Sequence, residues 1–412
     1  MPSQTAFPLE ISSTGDLKAL CQVLWNWELC ESCLNAGTKG LQRCGVASCN
    51  CPWARRAERL EPFFEFYQKT TRPYVPDFFG DDDQAIRSHQ DLLDIISLIK
   101  RYGTLQSREF CMAEYFASRS SSKAISVPRS DQDRAFQLAA SIITMVDVRC
   151  EQGQDSYYAR ANWDIEDNQR HGDLPGAWRE NDTLQTLMDD SFPTHIHPSL
   201  QDADAHAPLI KANLTAINLK RIANLKIEGT DNLQDHLKLN QSTGVVEVFH
   251  HTGFLKEHLL ATKEPTPTTT TNPGPSLLPR ELALETLCTL QTIFPPDVAS
   301  QALLRNLVSK GGFDPDCLRF GTAPFELCSS EKQRALRFPI WGTRLMDLYD
   351  EIENPKPRGR MDAWLERRSK SRHIMLATVV GVLTAVLLGL FGLCLSVFQT
   401  WIAWRQWKDG GR

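Results

Sequence analysis

The sequence is short of net charge, of familiar catalytic signatures and of any leader pattern at its start. Its 412 residues carry a formal charge of only −5. A general nucleic-acid binder presents a strongly basic face, so no nucleic-acid partner is expected. The opening stretch, MPSQTAFPLEISSTGDLKAL, has no basic region leading into an apolar one and does not fit a secretory signal peptide. Synthesis is therefore expected to begin in the cytosol, with the twelve cysteines mainly reduced. There is no G-x-x-x-x-G-K-S/T phosphate loop, no G-x-G-x-x-G turn after a strand, no H-E-x-x-H and no G-x-S-x-G elbow. No catalytic residue is assigned on this basis. Wholesale disorder is excluded as well, because the 42% apolar and 23% charged shares are those of a globular chain.

What the sequence does contain is one long hydrophobic run. Ile374 to Phe398, IMLATVVGVLTAVLLGLFGLCLSVF, holds 25 residues without a charge. A helix needs about 20 to cross a hydrocarbon core of roughly 30 Å, so a single transmembrane helix is expected here. Trp401, Trp404 and Trp407 follow it, as in an aromatic belt at headgroup level. Lys356, Arg358, Arg360, Arg367, Arg368, Lys370 and Arg372 precede the span, and Arg405, Lys408 and Arg412 follow it. That bias predicts a cytosolic N-terminal body and a tail-anchored topology. Within the span, Ala377, Gly381, Ala385 and Gly389 recur every four residues and offer a face for a second helix, and hence for a homo-oligomer. The alternative is that alanine and glycine are simply common in membrane helices.

The rest of the chain reads as a mainly α body. A helical, Cys-rich segment covers 1–75, with Leu17, Leu20, Leu24 and Trp25 on one helix and Leu60, Phe63, Phe64 and Tyr67 on another. The region 81–165 reads as three helices. Asp81, Asp82 and Asp83 supply a negative first turn, Gly103 supplies a stop, and Ser130 and Asp133 are spaced as a capping box. These helices fit either a compact packing unit or a winged-helix-like unit. A mixed region follows over 174–260, with helical spacing at Asp182–Asp190 and Pro208–Ile227, a strand-like alternation at Gly244–Phe249 and a helix from Thr252. The Pro/Thr-rich stretch 263–277 reads as a linker. A helical region spans 278–355, a basic juxtamembrane segment 356–373, the membrane helix 374–398 and a short tail 399–412.

Six of the cysteines, Cys21, Cys30, Cys33, Cys44, Cys49 and Cys51, fall within 31 residues. The spacing Cys30-x-x-Cys33 lets two thiolates bind one zinc ion from a tight turn, and Cys44 with Cys49 or Cys51 completes a tetrahedral set. Cys30, Cys33, Cys44 and Cys49 are therefore the candidate structural zinc ligands. Ordinary buried thiols and a redox pair are the alternatives. His195, His197, His250 and His251 have no cysteine or carboxylate at ligand spacing, so hydrogen-bonded or solvated imidazoles are expected there. Sequons at Asn181, Asn213 and Asn240 matter only if the body is lumenal.

In the C-terminal half, LKRIANLKIEGTDNLQDHLKL (Leu219–Leu239), VEVFHHTGFLKEHL (Val246–Leu259) and LPRELALETLCTLQTIFP (Leu278–Pro295) run in order. They are followed by FPIWGTRLMDLYDEI (Phe338–Ile352), WLERR (Trp364–Arg368) and the single span. This series resembles a widespread family of uncharacterised membrane proteins of filamentous ascomycete fungi. It departs from the family in having Ala363-Trp364 where a Trp pair is typical, and Gly229 where a Trp precedes the Thr-Asp. The resemblance implies a helical cytosolic body on a C-terminal anchor and carries no catalytic residues with it. Read physically, the matched segments have Leu225, Ile227, Leu233, Leu237, Val248 and Phe249 apolar enough to form a core, Asp231 placed to cap a short helix beginning near Asn232, and His236 expected as a structural hydrogen-bonding group. Three functions fit: a membrane-tethered interaction or scaffold protein with a cytosolic protein partner, an accessory enzyme of fungal secondary metabolism, or a zinc-dependent regulator held at a membrane. Protease protection of a doubly tagged chain in microsomes tests the topology: digestion of the N-terminal tag is expected, and its protection would reverse the orientation.

Overall fold

The computed structural model of the chain describes residues 7–35, 51–76, 84–119, 127–150, 177–200, 212–262, 277–321, 338–356 and 372–409. The first helix, α1 (Thr14–Trp25), starts at a capping box in which the Ser13 hydroxyl accepts the Asp16 N–H and the Asp16 carboxylate accepts the Ser13 N–H. Its Leu17, Leu20, Cys21 and Trp25 are buried. After the short helices α2 (Glu31–Asn35) and α3 (Pro52–Arg56), α4 (Glu61–Thr71) buries Phe63, Phe64 and Tyr67. The rings of Trp25, Trp27, Trp53, Phe63, Phe64 and Phe254 pack in a chain of contacts with centroids 5.1–6.5 Å apart.

The three helices expected over 81–165 are α5 (His89–Tyr102), α6 (Arg108–Arg119) and α7 (Arg129–Thr144). Their starts differ from expectation. The negative turn Asp81–Asp83 lies outside the described residues; α5 begins later, where the Ser88 hydroxyl accepts the Asp91 N–H. Ser130 and Asp133 do not form a cap, because α7 already starts at Arg129. The Asp133 carboxylate instead meets the Arg108 guanidinium at 2.5 Å, and Arg108 is fully buried. A buried cation left unmatched would cost several kcal/mol (~3–5), which outweighs one cap at about 1 kcal/mol. The wing that a winged helix would place after α7 falls on 151–165, outside the described residues. Beside that gap, β1 (Arg149–Cys150) pairs in parallel with β2 (Ala177–Trp178).

Beyond α8 (Leu184–Ser191) the chain departs from the helix expected through Ile227. Helix α9 covers only Ala216–Arg221, and Lys226–Thr230 is strand β3. Lys226 to Thr230 pair in parallel with β5 (Val245–Phe249), while β4 (Leu239–Asn240) pairs antiparallel on the other side of β5. The β4–β5 turn is drawn tight by Asn240, whose side-chain oxygen accepts the Ser242 and Thr243 N–H groups. It closes at Gly244, whose φ of 69° favours glycine. Leu225, Leu233, Leu237, Val248 and Phe249 are buried and Ile227 is partly buried, as core residues should be.

Helix α10 (Thr252–Ala261) packs on α11 (Arg280–Ile293), and α12 (Val298–Lys310) ends at Gly311–Gly312. The linker expected over 263–277 lies outside the described residues except Leu277. Helix α13 (Gly342–Glu353) ends the body, and α14 (Arg372–Asp409) stands in a separate unit. The compact units are Met1–Asn354 and Pro355–Arg412, and both are mainly α.

Glu285 on α11 supplies the cap that α13 lacks locally: its carboxylate accepts the Ile340 N–H at 3.0 Å and the Trp341 N–H at 2.6 Å. The residue is 1% exposed, and burial pushes its pKa from 4.5 up to about 7 in spite of those bonds. A folded-state value above the unfolded one means that this contribution to stability is present below pH 4.5 and is lost as pH rises through 7. Glu285→Gln keeps an acceptor oxygen and removes the titration. The unfolding free energy of the parent chain should fall by about 1–3 kcal/mol between pH 5 and 7.5 from this group, and the variant's profile should be flatter. Parallel pH profiles would show that Glu285 is not the source.

Candidate functional site

The parallel register of β3 and β5 matches Thr230 with Phe249. The next residues, Asp231 and His250–His251, therefore emerge side by side at the carboxyl ends of the two strands, the usual position for sites in parallel sheets. His251 Nε2 lies 2.8 Å from Asp231 Oδ1, and His250 Nε2 lies 3.8 Å from the same oxygen. Lys69 on α4 reaches the other oxygen at 2.7 Å. The two imidazoles stack with centroids 4.4 Å apart, and Phe313 stacks on the outer face of His250 at 5.2 Å. Sequence spacing separated this carboxylate from the histidines by about twenty positions. Only the strand pairing unites them, so they were missed as a cluster. Asp231 was expected to cap a short helix; that role falls to Asn232, whose side-chain oxygen accepts the Gln234 N–H.

These three residues have the composition of a metal site, and their ligand atoms all lie within 4.8 Å of one another. The proton positions argue for a different role. The Asp314 N–H donates to His250 Nδ1 at 3.1 Å, which places the ring proton of neutral His250 on Nε2, the atom that faces Asp231. A metal on Nε2 would require that proton to move onto Nδ1, where it would meet the Asp314 N–H. Burial and the neighbouring His251 hold His250 well down, to a pKa of about 3, so its ring is neutral. The bond from His251, joined by Lys69, keeps the Asp231 carboxyl well below the usual range against the effect of burial. The result is a carboxylate clamped by one imidazole and an ammonium, with the neutral His250 ring 3.8 Å away. Gly229 is needed for it, since a Cβ there would lie 2.7 Å from the His250 ring.

Around this clamp sits a second buried layer. The Asp314 carboxylate accepts the Gly253 and Asp316 N–H groups at 3.1 and 2.7 Å, and Lys256 pairs with Asp316 at 2.5 Å. The Cys317 thiol donates to the His250 carbonyl at 3.3 Å, and burial pushes its pKa well up, which keeps it an unreactive thiol. His236 behaves as a structural group, as expected: Nδ1 accepts the Phe249 N–H and Nε2 meets the Thr289 hydroxyl at 2.7 Å. His195 and His197 join neither metal-capable group found among the described residues.

The cysteine cluster is the other convergence. Cys30, Cys33 and Cys51 bring their sulfurs within 4.8 Å of one another; Cys33 and Cys51 are buried and Cys30 is partly exposed. Cys30 and Cys33 are the expected pair, closed by a Cys33 N–H to Cys30 carbonyl bond of 2.9 Å. The expected Cys44 and Cys49 lie outside the described residues, and Cys51, the N-cap of α3, takes a place in the trio. Three thiols can hold a tetrahedral ion with one position left for a further ligand.

At the C-terminus, α14 runs 38 residues, about 57 Å at 1.5 Å per residue. Its stretch Thr378–Lys408 is long and apolar enough to cross a membrane, and none of it is buried. The expected tail is helical as far as Asp409, because no helix breaker occurs before Gly410. Trp401 and Trp404 carry Arg405 and Lys408 over their rings at 5.3 and 5.2 Å. Gly381, Ala385 and Gly389 lie on open surface, while the side chain of Ala377 is outside the described residues. Asn181, Asn213 and Asn240 are all exposed. Comparison with protein-family models, curated proteins and solved structures finds no match.

Asp231→Asn tests the clamp. Loss of the charged partner of His251 and Lys69 should lower the unfolding free energy by about 1–3 kcal/mol, most visibly above pH 4, where the carboxylate contributes fully. An unchanged denaturant midpoint would remove the clamp from the account of stability.

Proposed function

We propose that the chain is a single-pass membrane protein whose helical body acts as a tethered interaction or scaffold module for a cytosolic protein partner. The observation that carries this reading is the exposed apolar helix Thr378–Lys408. In water such a surface would be costly, at about 25 cal/mol per Å² of apolar area, and a bilayer removes that cost. The basic excess before the helix favours a cytosolic body. The sequence phrases between Leu219 and Arg368, which run in the same order as in the fungal membrane-protein family that they resemble, support membership of it. The stripe Ala377, Gly381, Ala385, Gly389 is the proposed face for self-association within the bilayer.

Cys30, Cys33 and Cys51 are proposed to hold a structural zinc ion, with Cys44 or Cys49 as the fourth ligand. Support comes from three thiols meeting where the described residues form two helices of only five residues each. Such short pieces gain little from helix propagation, and metal binding supplies folding free energy directly.

Proximity labelling from the body should return a restricted set of cytosolic partners that a chain reduced to the anchor does not. Identical profiles would contradict the scaffold role. Metal analysis of the full chain in detergent under reducing conditions should find one equivalent of zinc, and a substoichiometric result would contradict the zinc assignment.

A further inference from the structure

A charged side chain from α1 reaches the backbone of the thiol cluster. Lys18 is 7% exposed, on the same buried helix face as Leu17, Cys21 and Trp25. Its ammonium donates to the Cys33 carbonyl at 2.5 Å and lies 5.6 Å from the centre of the Trp53 ring. Trp53 comes two residues after Cys51. One cation therefore touches both limbs of the site, the Cys30–Cys33 turn and the Cys51–Trp53 helix start. Nearby among the described residues, Arg56 pairs with Glu257 at 2.7 Å and rests on Trp27 at 5.0 Å.

We propose that Lys18 is a positioning and charge-matching residue of the thiolate metal centre, and the proposal rests on the zinc reading. Each thiol that ligates a divalent cation releases its proton to solvent. Three thiolates on such an ion leave the centre negatively charged, and a fourth adds to that charge. Cys33 and Cys51 are only 3% and 6% exposed, so the surplus charge sits where water screens it poorly. An ammonium fixed against the Cys33 backbone offsets it. The same hydrogen bond holds the Cys30–Cys33 turn in the geometry that points both sulfurs at Cys51. In this respect Lys18 acts on the metal through the ligands, as the outer partners of metal-binding side chains do.

Lys18→Met keeps the length and apolar stem of the side chain and removes only its charge and hydrogen bond. A role limited to packing over Trp53 would leave metal binding unaltered. The test is zinc affinity of the full chain in detergent, measured by competition with a chelator of known affinity, together with helical content by circular dichroism. Lys18→Met should weaken zinc binding by about 10-fold to 100-fold at unchanged helical content, and Lys18→Arg should stay near the parent value. Lys18→Gln supplies a second neutral variant should the methionine chain lose its helical signal. Parental affinity in a folded neutral variant would overturn the proposal and leave the zinc reading standing. A parent chain that holds no zinc would overturn both.

Discussion

The parallel pairing of β3 with β5 is the contact on which the body depends. It delivers Asp231 to His251 on one side and hands β5 directly into α10 on the other. Through Lys69 the same carboxylate reaches α4 of the N-terminal helices. Through His236, whose Nδ1 takes the Phe249 N–H, the sheet is tied to Thr289 on α11. Arg344 of α13 closes the far side by donating to the Gln234 and His236 carbonyls at 2.7 and 2.6 Å. A five-residue strand pair would be marginal alone. Here Lys69 of α4, Thr289 of α11 and Arg344 of α13 each bond to a polar group at its ends, which ties three helices to the strand pair.

Among the described residues, two groups of side chains have metal-binding composition, and hydrogen placement separates them. In the Asp231–His250–His251 clamp the backbone N–H of Asp314 fixes the proton of His250 on the nitrogen a metal would need. The thiol trio has no such obstacle, because a thiol can give up its proton to water when an ion arrives. Composition and proximity alone would have ranked the two alike.

The helices were legible from apolar spacing: Leu17, Leu20 and Trp25 mark α1, Ile96 and Ile99 mark α5, and Val298 to Leu307 mark α12. The apolar C-terminal run was legible from length and hydropathy, and the Trp-rich end extends it as one helix. Strand β3 was not legible, since Leu225 and Ile227 continue the period of the preceding helix over too few residues to distinguish a strand. Nor was the absence of the Ser130–Asp133 cap, because the demand of buried Arg108 for Asp133 is a tertiary fact. The cysteine pair at 30 and 33 followed from local spacing, whereas Cys51 needed the chain to return. Of the two strands that build the Asp231 clamp, only the one ending at His250 was strand-like in the sequence. Without the parallel register the two ends had no reason to be read together.

The body and the apolar helix are separate compact units with the break at Asn354–Pro355. A chain built this way should fold without its last segment and lose only its hold on the bilayer. The direct measurement compares the full chain with one ending at Asn354, by alkaline carbonate extraction of membranes and by denaturant unfolding. The account predicts that the shortened chain moves to the soluble fraction and unfolds in a single transition at the midpoint of the full-length body. A shortened chain that stays with the membrane pellet, or that unfolds at a clearly lower midpoint, would contradict it.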